Sequence, residues 1–132
     1  MIEASCHCGA VRIEIAERPK TVTECNCSLC RRLGNRMAYY HPDQVKIICQ
    51  PGATTPYIQG DRTLAMHHCN VCGCTTHWQS IDPAYKDRMA VNSRLMDPAE
   101  LEGVRVRYFD GADSWTHLEG ERVLGKSSFL EE

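Results

Sequence analysis

The sequence lacks a long apolar segment. No stretch of its 132 residues approaches the roughly 20 consecutive apolar residues that a membrane-spanning helix needs. Its first ten residues, MIEASCHCGA, also lack the positively charged segment and following apolar run that mark a secretory signal peptide. We therefore expect a cytoplasmic protein with no membrane partner.

An excess of basic residues is also missing. Fifteen lysines and arginines stand against 17 aspartates and glutamates, which gives a formal net charge of -2. Nucleic-acid-binding domains usually carry a basic face or stripe, so this balance argues against a nucleic-acid partner. No internal repeat or linker-like stretch divides the chain, and its length suits one domain. We expect residues 1–132 to form that single domain.

Helical patterns are scarce, whereas strand patterns recur. Apolar and polar side chains alternate in AVRIEIA (residues 10–16), as they do in a half-buried strand. Strands are predicted for residues 10–16, 45–49, 89–93 and 103–109. Helical signals are limited to one or two turns in residues 28–35 and to a short helix that begins after Asp97. The sequence therefore predicts a mainly β fold with short helical turns.

Nine cysteines are the most informative feature of the composition. In a reducing compartment, cysteines are more often metal ligands or catalytic groups than disulfide partners, and an odd number cannot pair completely. Zinc prefers tetrahedral sulfur and nitrogen ligands, and short loops bring two thiolates to one ion. Seven cysteines have such spacing, and we predict that they bind zinc: Cys6, Cys8, Cys25, Cys27, Cys30, Cys69 and Cys72.

The simplest division of these cysteines gives two zinc sites. It makes a four-cysteine group of Cys6, Cys8, Cys69 and Cys72 and a three-cysteine group of Cys25, Cys27 and Cys30. The four-cysteine group provides all the ligands of a closed structural site, which would tie the N-terminal strand to the middle of the chain. The three-cysteine group leaves a fourth position for water or substrate, which is the arrangement of catalytic zinc.

Three other residues are alternative fourth ligands of the three-cysteine group, namely His67, His68 and Cys74. If residues 67 and 68 lie in a strand, their side chains point to opposite faces, so at most one histidine faces a given ion. A core position is the default expectation for Cys74, because a free cysteine behaves as a small apolar residue. The same expectation applies to Cys49, which ends an apolar segment.

Two arginines follow the three-cysteine group directly. Arg31 and Arg32 are candidates for substrate binding, because a guanidinium group can offset thiolate charge or hold a carboxylate through two hydrogen bonds. The alternative is that both are solvated side chains beside a loop.

Three cysteine-bearing segments together resemble a known enzyme family. They are SCHCGAVRIEI (5–15), ECNCSLCRRLG (24–34) and HHCNVCGCTTHW (67–78). Their pattern and order are similar to those of the glutathione-dependent formaldehyde-activating enzyme family, which includes S-(hydroxymethyl)glutathione synthase. The resemblance implies a β-tent fold, in which several small coiled antiparallel sheets surround zinc. It also implies that the four-cysteine group holds a structural ion and the three-cysteine group an active-site ion.

The same resemblance implies an activity. The expected reaction joins a thiol such as glutathione to formaldehyde or a related aldehyde as a hemithioacetal, and its reverse makes the enzyme a carbon–sulfur lyase. Two alternatives stay open for this fold. One is a non-catalytic zinc-binding interaction module, and the other is a zinc-thiolate redox sensor, because a labile three-cysteine site is open to oxidation.

Overall fold

Short strands dominate the structure, a computed structural model that describes residues 1–125. The strands are β1 (Ile2–Ser5), β2 (Arg12–Ile15), β3 (Thr21–Cys25), β4 (Met37–Tyr40), β5 (Val45–Ile48), β6 (Thr54–Tyr57), β7 (Leu64–Cys69), β8 (Thr75–Ser80), β9 (Met89–Asn92), β10 (Arg105–Phe109) and β11 (His117–Val123). The helices are α1 (Ser28–Leu33), α2 (Pro98–Leu101) and 3-10 turns at Pro42–Gln44, Pro83–Tyr85 and Ser93–Leu95. The prediction of a mainly β chain with few short helices is confirmed.

The predicted strands form for the reason that their alternation suggests. In β2, Ile13 and Ile15 are wholly buried, whereas Arg12 between the two buried positions 11 and 13 is exposed. In β10, Val106 is wholly buried and Arg105 faces solvent. β5 and β9 also lie within the segments that the sequence predicts.

Two sheets are formed by the strands of residues 1–125. The smaller has the order β1-β2-β5, and the larger has the order β11-β10-β3-β4-β9-β8-β7-β6. The resemblance implied several small sheets, and the structure differs because β9 pairs with both β4 and β8. This double pairing merges what would otherwise be two smaller sheets.

One pair among these described strands is parallel, which the sequence does not predict. β3 and β10 run in the same direction, with Cys25 opposite Phe109. A parallel pair needs a long crossover connection, and residues 26–104 provide it. As a consequence, the C-terminal ends of β3 and β10 lie side by side at the same end of the larger sheet.

The apolar core lies between the two sheets. Ile13 and Ile15 of the smaller sheet and Val22, Val91 and Val106 of the larger are wholly buried in one cluster. Cys74 is half-buried and packs against this cluster, so it borders the core. None of the helices in residues 1–125 has the length and apolar character required to span a bilayer.

The expectation that Cys49 belongs to the core is wrong. Cys49 is exposed, because β5 ends one residue earlier at Ile48 and the chain then turns at Pro51 and Gly52. It belongs to neither cysteine group.

Candidate metal centres and adjoining clefts

The four-cysteine group is assembled from two parts of the chain. Cys6 and Cys8 lie in the loop between β1 and β2, whereas Cys69 ends β7 and Cys72 lies in the β7–β8 turn. The four Sγ atoms all lie within 4.8 Å of one another. Cys8 Sγ is 3.7 Å from both Cys6 Sγ and Cys69 Sγ. Four sulfurs placed 2.3 Å from a central zinc ion would be about 3.8 Å apart, so this spacing fits a tetrahedral zinc site.

Both loops of this group turn at a glycine that follows a cysteine. Gly9 and Gly73 have φ values of 83° and 79°, a conformation that side-chain-bearing residues rarely adopt. The turns aim backbone N–H groups at sulfur. Hydrogen bonds from the N–H groups of Cys74 and Cys8 lower the pKa of the Cys72 thiol to about 5. Such donors favour the thiolate form, which is the form that binds metal.

The three-cysteine group lies where β3 meets α1. Cys25 is the last residue of β3, Cys27 caps the N-terminus of α1 and Cys30 lies in the helix. The three Sγ atoms lie within 4.8 Å of one another. Backbone N–H groups point at two of them: Cys27 N is 3.4 Å from Cys25 Sγ, and Cys30 N is 3.3 Å from Cys27 Sγ.

The environment separates these three thiols in acidity. Burial raises the pKa of Cys30, and the neighbouring Cys27 raises it further. Burial also opposes ionisation of Cys27, but hydrogen bonds from Cys30 and Leu29 outweigh it and the pKa of Cys27 is lowered. Burial also raises the pKa of Cys25, so Cys27 is the one of the three thiols that ionises most readily.

The side chains considered as a fourth ligand lie elsewhere. Within residues 1–125, no other histidine, cysteine or acidic side chain joins the three sulfurs within 4.8 Å. His67 Nδ1 is 2.9 Å from Thr54 Oγ1, and the ring stacks on His77 with a centroid distance of 4.5 Å. His68 is opposite Thr75 in the β7–β8 pair.

Cys74 belongs to the surroundings of the four-cysteine group. Its carbonyl oxygen accepts a hydrogen bond of 2.9 Å from Cys69 N, and its thiol interacts with Cys72. The fourth side of the three-cysteine group is thus free of protein ligands from the described residues.

Gly111 packs directly against the three-cysteine group, and its role there is not evident from the sequence. A β-carbon at this position would lie 2.5 Å from Cys25 Sγ and 3.2 Å from Cys27 Cβ. The Gly111 N–H also donates to Cys25. The sequence marks Asp110-Gly111 only as a turn; the parallel pairing of β3 and β10 is what brings this turn to the cysteines.

The segment after β10 is fixed to the residue between the first two cysteines. Asn26 donates through Nδ2 to Asp110 Oδ1 at 3.0 Å and accepts from Ala112 N at 3.0 Å. Asp110 also accepts from Ser114 N and Ser114 Oγ, at 3.2 and 2.9 Å. These hydrogen bonds lower the pKa of Asp110, and the bond from Asn26 has the largest effect. We call residues 110–116 the anchored loop.

A cleft of about 980 Å³ opens beside the three-cysteine group. All three cysteines line it, and so do apolar and aromatic side chains including Met37, Tyr39, Met66, Trp78, Met89 and Trp115. Both tryptophans of the chain are in this wall. Trp115 is 70% exposed, so its indole is a surface of the cleft and not part of the core.

A second cleft of about 400 Å³ reaches the same cysteines from another side. Cys25 and Cys30 line it together with Arg31, Arg94 and Glu24. Arg31 therefore lies where a substrate could meet it. Arg32 has a different environment, because its Nη1 donates to Ser28 O at 2.9 Å within α1.

Asn35 lies in the walls of both clefts. Its side chain is buried, with 4% of the residue exposed, and its Nδ2 faces Met66 Sδ at 3.7 Å. Its Oδ1 has no hydrogen-bond partner within residues 1–125. Buried carbonyl oxygens are nearly always paired, so this atom is an exception among the described residues. The sequence offers no signal for it.

The family relationship is clear from a match over most of the chain. Residues 1–110 match the family described as glutathione-dependent formaldehyde-activating enzyme. The chain belongs to the glutathione-dependent formaldehyde-activating enzyme family. The resemblance drawn from the cysteine segments is therefore confirmed.

A solved structure is also similar to this chain. The chain is similar to a Rhodobacter sphaeroides protein whose crystal structure was determined in structural genomics, with 30% identity and a TM-score of 0.65. The similarity covers 78% of this chain and 97% of that protein. The family match ends at Asp110, so Gly111 and Trp115 of the anchored loop lie beyond the matched residues.

Proposed function

We propose that this chain joins a thiol to an aldehyde as a hemithioacetal at the three-cysteine group, with glutathione and formaldehyde as the substrates that the family name indicates. One observation carries the proposal. Three sulfurs converge within 4.8 Å, no fourth histidine, cysteine or acidic side chain of residues 1–125 joins them, and members of this group line two clefts. A purely structural site would be expected to be closed by a fourth ligand.

The donor set suits zinc in both groups. The four-cysteine group has the sulfur spacing of a closed tetrahedral site, and we propose that it holds a structural zinc ion. Zinc bound to the three-cysteine group would keep a substrate thiol ionised at neutral pH in its open position. Hydrogen bonds from the N–H groups of Cys27 and Cys30 would stabilise negative charge on the sulfurs of Cys25 and Cys27.

The reaction needs no oxidant or reductant. The thiol sulfur forms a bond to the carbonyl carbon, the C=O π bond breaks, and the thiol proton ends on the carbonyl oxygen. The reverse reaction cleaves the carbon–sulfur bond, which is the basis for the proposed lyase class. Arg31 would hold a carboxylate of the thiol substrate in the smaller cleft. Arg32 supports α1 instead.

Three further proposals complete this assignment. The sheets and the two cysteine groups would form a β-tent fold, residues 1–132 would act as one domain, and the protein would work in the cytoplasm. The reducing conditions of the cytoplasm keep the thiols available for metal.

Exchange NMR tests the proposed activity directly. The zinc-loaded protein should accelerate exchange between glutathione, formaldehyde and their hemithioacetal, and Cys27→Ser should abolish the acceleration because one sulfur of the open group is lost. Cys49→Ser is the matched control, since Cys49 is exposed and outside both groups. Absence of acceleration by the wild-type protein would contradict the named activity. Two retained zinc ions without any catalysis would instead indicate a non-catalytic zinc module.

A further inference from the structure

The larger cleft is much too large for formaldehyde alone. A one-carbon aldehyde is only slightly larger than water, which takes about 30 Å³ in the liquid, whereas the cleft measures about 980 Å³. Ligand sites of this size usually bind molecules that cover apolar walls and meet a few polar groups. The wall beside the cysteines fits that description, with Tyr39 and Trp78 in edge-to-face contact at 6.1 Å and Trp115 opposite Phe109 at 5.2 Å.

The two clefts differ in charge. The larger is lined by one arginine and two aspartates, Arg88, Asp61 and Asp87, a net charge of -1, and the guanidinium of Arg88 lies 4.4 Å from the Tyr85 ring centroid. The smaller is lined by two arginines and two glutamates, which balance: Arg31, Arg94, Glu24 and Glu119. An anionic thiol such as glutathione is therefore disfavoured in the larger cleft. This leaves the larger cleft for an uncharged substrate.

Asn35 lines both clefts. Its unpartnered Oδ1 is an acceptor, so the group that completes it must donate a hydrogen bond. The hydroxyl of a hemithioacetal is such a donor, and it forms where the two substrates join. Because Asn35 lines both clefts beside Cys30, its amide is placed for that hydroxyl.

We propose that the aldehyde substrate carries an aromatic or long alkyl body, which binds in the larger cleft against Tyr39, Trp78 and Trp115, while the new hydroxyl donates to Asn35 Oδ1. This inference rests on the proposed function, since it names the aldehyde class used at the same site. The bond changes are those of hemithioacetal formation: one C–S bond forms, the C=O π bond breaks, and the thiol proton moves to the carbonyl oxygen.

Exchange rates across three aldehydes test the substrate class. With zinc-loaded protein and glutathione, phenylacetaldehyde and hexanal should be accelerated over their spontaneous rates more than formaldehyde is. Tyr39→Ala should lower kcat/KM for phenylacetaldehyde by roughly five- to tenfold, as expected for one lost aromatic contact, and should spare formaldehyde. Tyr57→Ala is the matched control, because both tyrosines are about half exposed, at 55% and 53%, and Tyr57 lies outside the cleft.

Two further variants separate the roles of wall and amide. Trp115→Gly should reproduce the effect of Tyr39→Ala and keep the fold, because Trp115 has φ of 60° and glycine adopts that conformation easily. Asn35→Ala should lower kcat for all three aldehydes together, since the hydroxyl is common to every product. Equal losses for phenylacetaldehyde and formaldehyde in Tyr39→Ala would overturn the assignment of the wall.

A binding measurement keeps this inference distinct from the proposed reaction. Both tryptophans line the cleft, so their emission should change on titration of the zinc-loaded protein with 2-phenylethanol, an unreactive analogue, and not with ethanol. Tyr39→Ala should weaken that binding roughly fivefold. Acceleration of formaldehyde exchange without binding of 2-phenylethanol would overturn the inference and leave the proposed function intact. Binding of 2-phenylethanol without catalysis of any exchange would support the apolar site and overturn the reaction.

Discussion

At the scale of single residues, Gly111 shows how closely the three-cysteine group is packed. Its backbone N–H donates to Cys25, and a β-carbon would lie 2.5 Å from Cys25 Sγ. Sulfur cannot approach carbon so closely, so any side chain at 111 would displace the sulfur or the anchored loop. The position therefore requires glycine for space, not for backbone conformation.

Gly111→Ala should selectively weaken metal binding at the three-cysteine group. Overpacking typically costs about 1–3 kcal/mol, which corresponds to a loss of zinc affinity of roughly five- to 150-fold. Competition with a graded series of chelators measures this loss, and the zinc of the four-cysteine group should be unaffected. Gly125→Ala is the control, because a β-carbon there meets no atom of residues 1–125 within 4 Å. Unchanged zinc affinity in Gly111→Ala would contradict the close packing of Gly111 on Cys25.

His77 is a buried histidine whose lowered pKa makes the fold less stable in acid. Only 2% of it is exposed, and desolvation, followed by the nearby His67, lowers its pKa from 6.5 to about 4. The unfolded chain therefore binds a proton at His77 at a pH where the folded chain does not. The free energy of unfolding is therefore fully retained above pH 6.5, and it falls as the pH drops from 6.5 towards 4.

His77→Gln should flatten the acid side of the stability profile. Each pH unit between the two pKa values costs the wild-type protein about 1.4 kcal/mol, up to about 3 kcal/mol in total. Urea unfolding of the zinc-loaded protein as a function of pH measures the difference between variant and wild type. His117→Gln, at an exposed position, controls for acid release of zinc, which all three proteins share. A profile as steep as that of the wild type in His77→Gln would rule out this origin of acid sensitivity.

At the scale of structural elements, the anchored loop is fastened to the cysteines by one side chain in particular. Asp110 accepts hydrogen bonds from Asn26 and from Ser114, and Asn26 lies between two of the three cysteines. Asp113 is an exposed aspartate of the same loop, and its side chain provides a fair comparison.

Asp110→Ala should loosen the anchored loop and speed zinc release from the three-cysteine group, whereas Asp113→Ala should not. The reason is that only Asp110 joins the loop to Asn26 through its carboxylate. Amide hydrogen exchange in residues 110–116 reports the loosening, and chelator-driven release reports the metal. If both variants exchange alike, the link through Asn26 does not hold the loop.

Two of the strands that the sequence revealed, β2 and β10, have one face in the apolar core, whereas all four residues of β9 are buried. β2 and β10 alternate clearly because the residues that face the core are isoleucine and valine. β8 escapes detection because its buried residues are polar and consecutive, with Thr75, Thr76 and His77 all buried, so no apolar alternation marks it. β11 shows no alternation because most of its residues are exposed, so neither face had to be apolar.

The short cysteine clusters were visible in the spacing, but the surroundings of the site were not. Ligands two or three residues apart can share one ion, yet spacing alone neither joins Cys6 and Cys8 to Cys69 and Cys72 nor excludes Cys74. The simplest division is the one that the folded chain brings together. Gly111 and Asn35 reach the site through tertiary structure, and neither a turn signal nor an asparagine reveals that by itself. The burial of Arg36 was also not predictable from the sequence, because arginines are rarely buried and Arg36 is only 2% exposed.

At the scale of the whole molecule, the four-cysteine group connects the two sheets. Two of its members lie in the loop between β1 and β2 of the smaller sheet, and two at the β7–β8 turn of the larger. The three-cysteine group is confined to the larger sheet and α1. Metal at the first group should therefore support the fold, and metal at the second should not.

Stepwise chelation should remove two zinc ions with different consequences. The ion of the three-cysteine group should leave first, with the fold retained, and loss of the second ion should unfold the protein. Circular dichroism followed alongside zinc release measures both steps. Cys6→Ser should lower thermal stability sharply, whereas Cys27→Ser should leave it close to that of Cys49→Ser. Two ions released together, with one unfolding event, would contradict the separation of roles.

The parallel pairing of β3 with β10 has a consequence for synthesis. During translation, every ligand of the four-cysteine group is present once Cys72 has left the ribosome. The three-cysteine group is made earlier, yet its packing against Gly111 awaits nearly the whole chain. The nascent protein can thus bind the ion of the four-cysteine group before Gly111 packs against the three-cysteine group. The order of residues along the chain favours completing the structural centre before the reactive one.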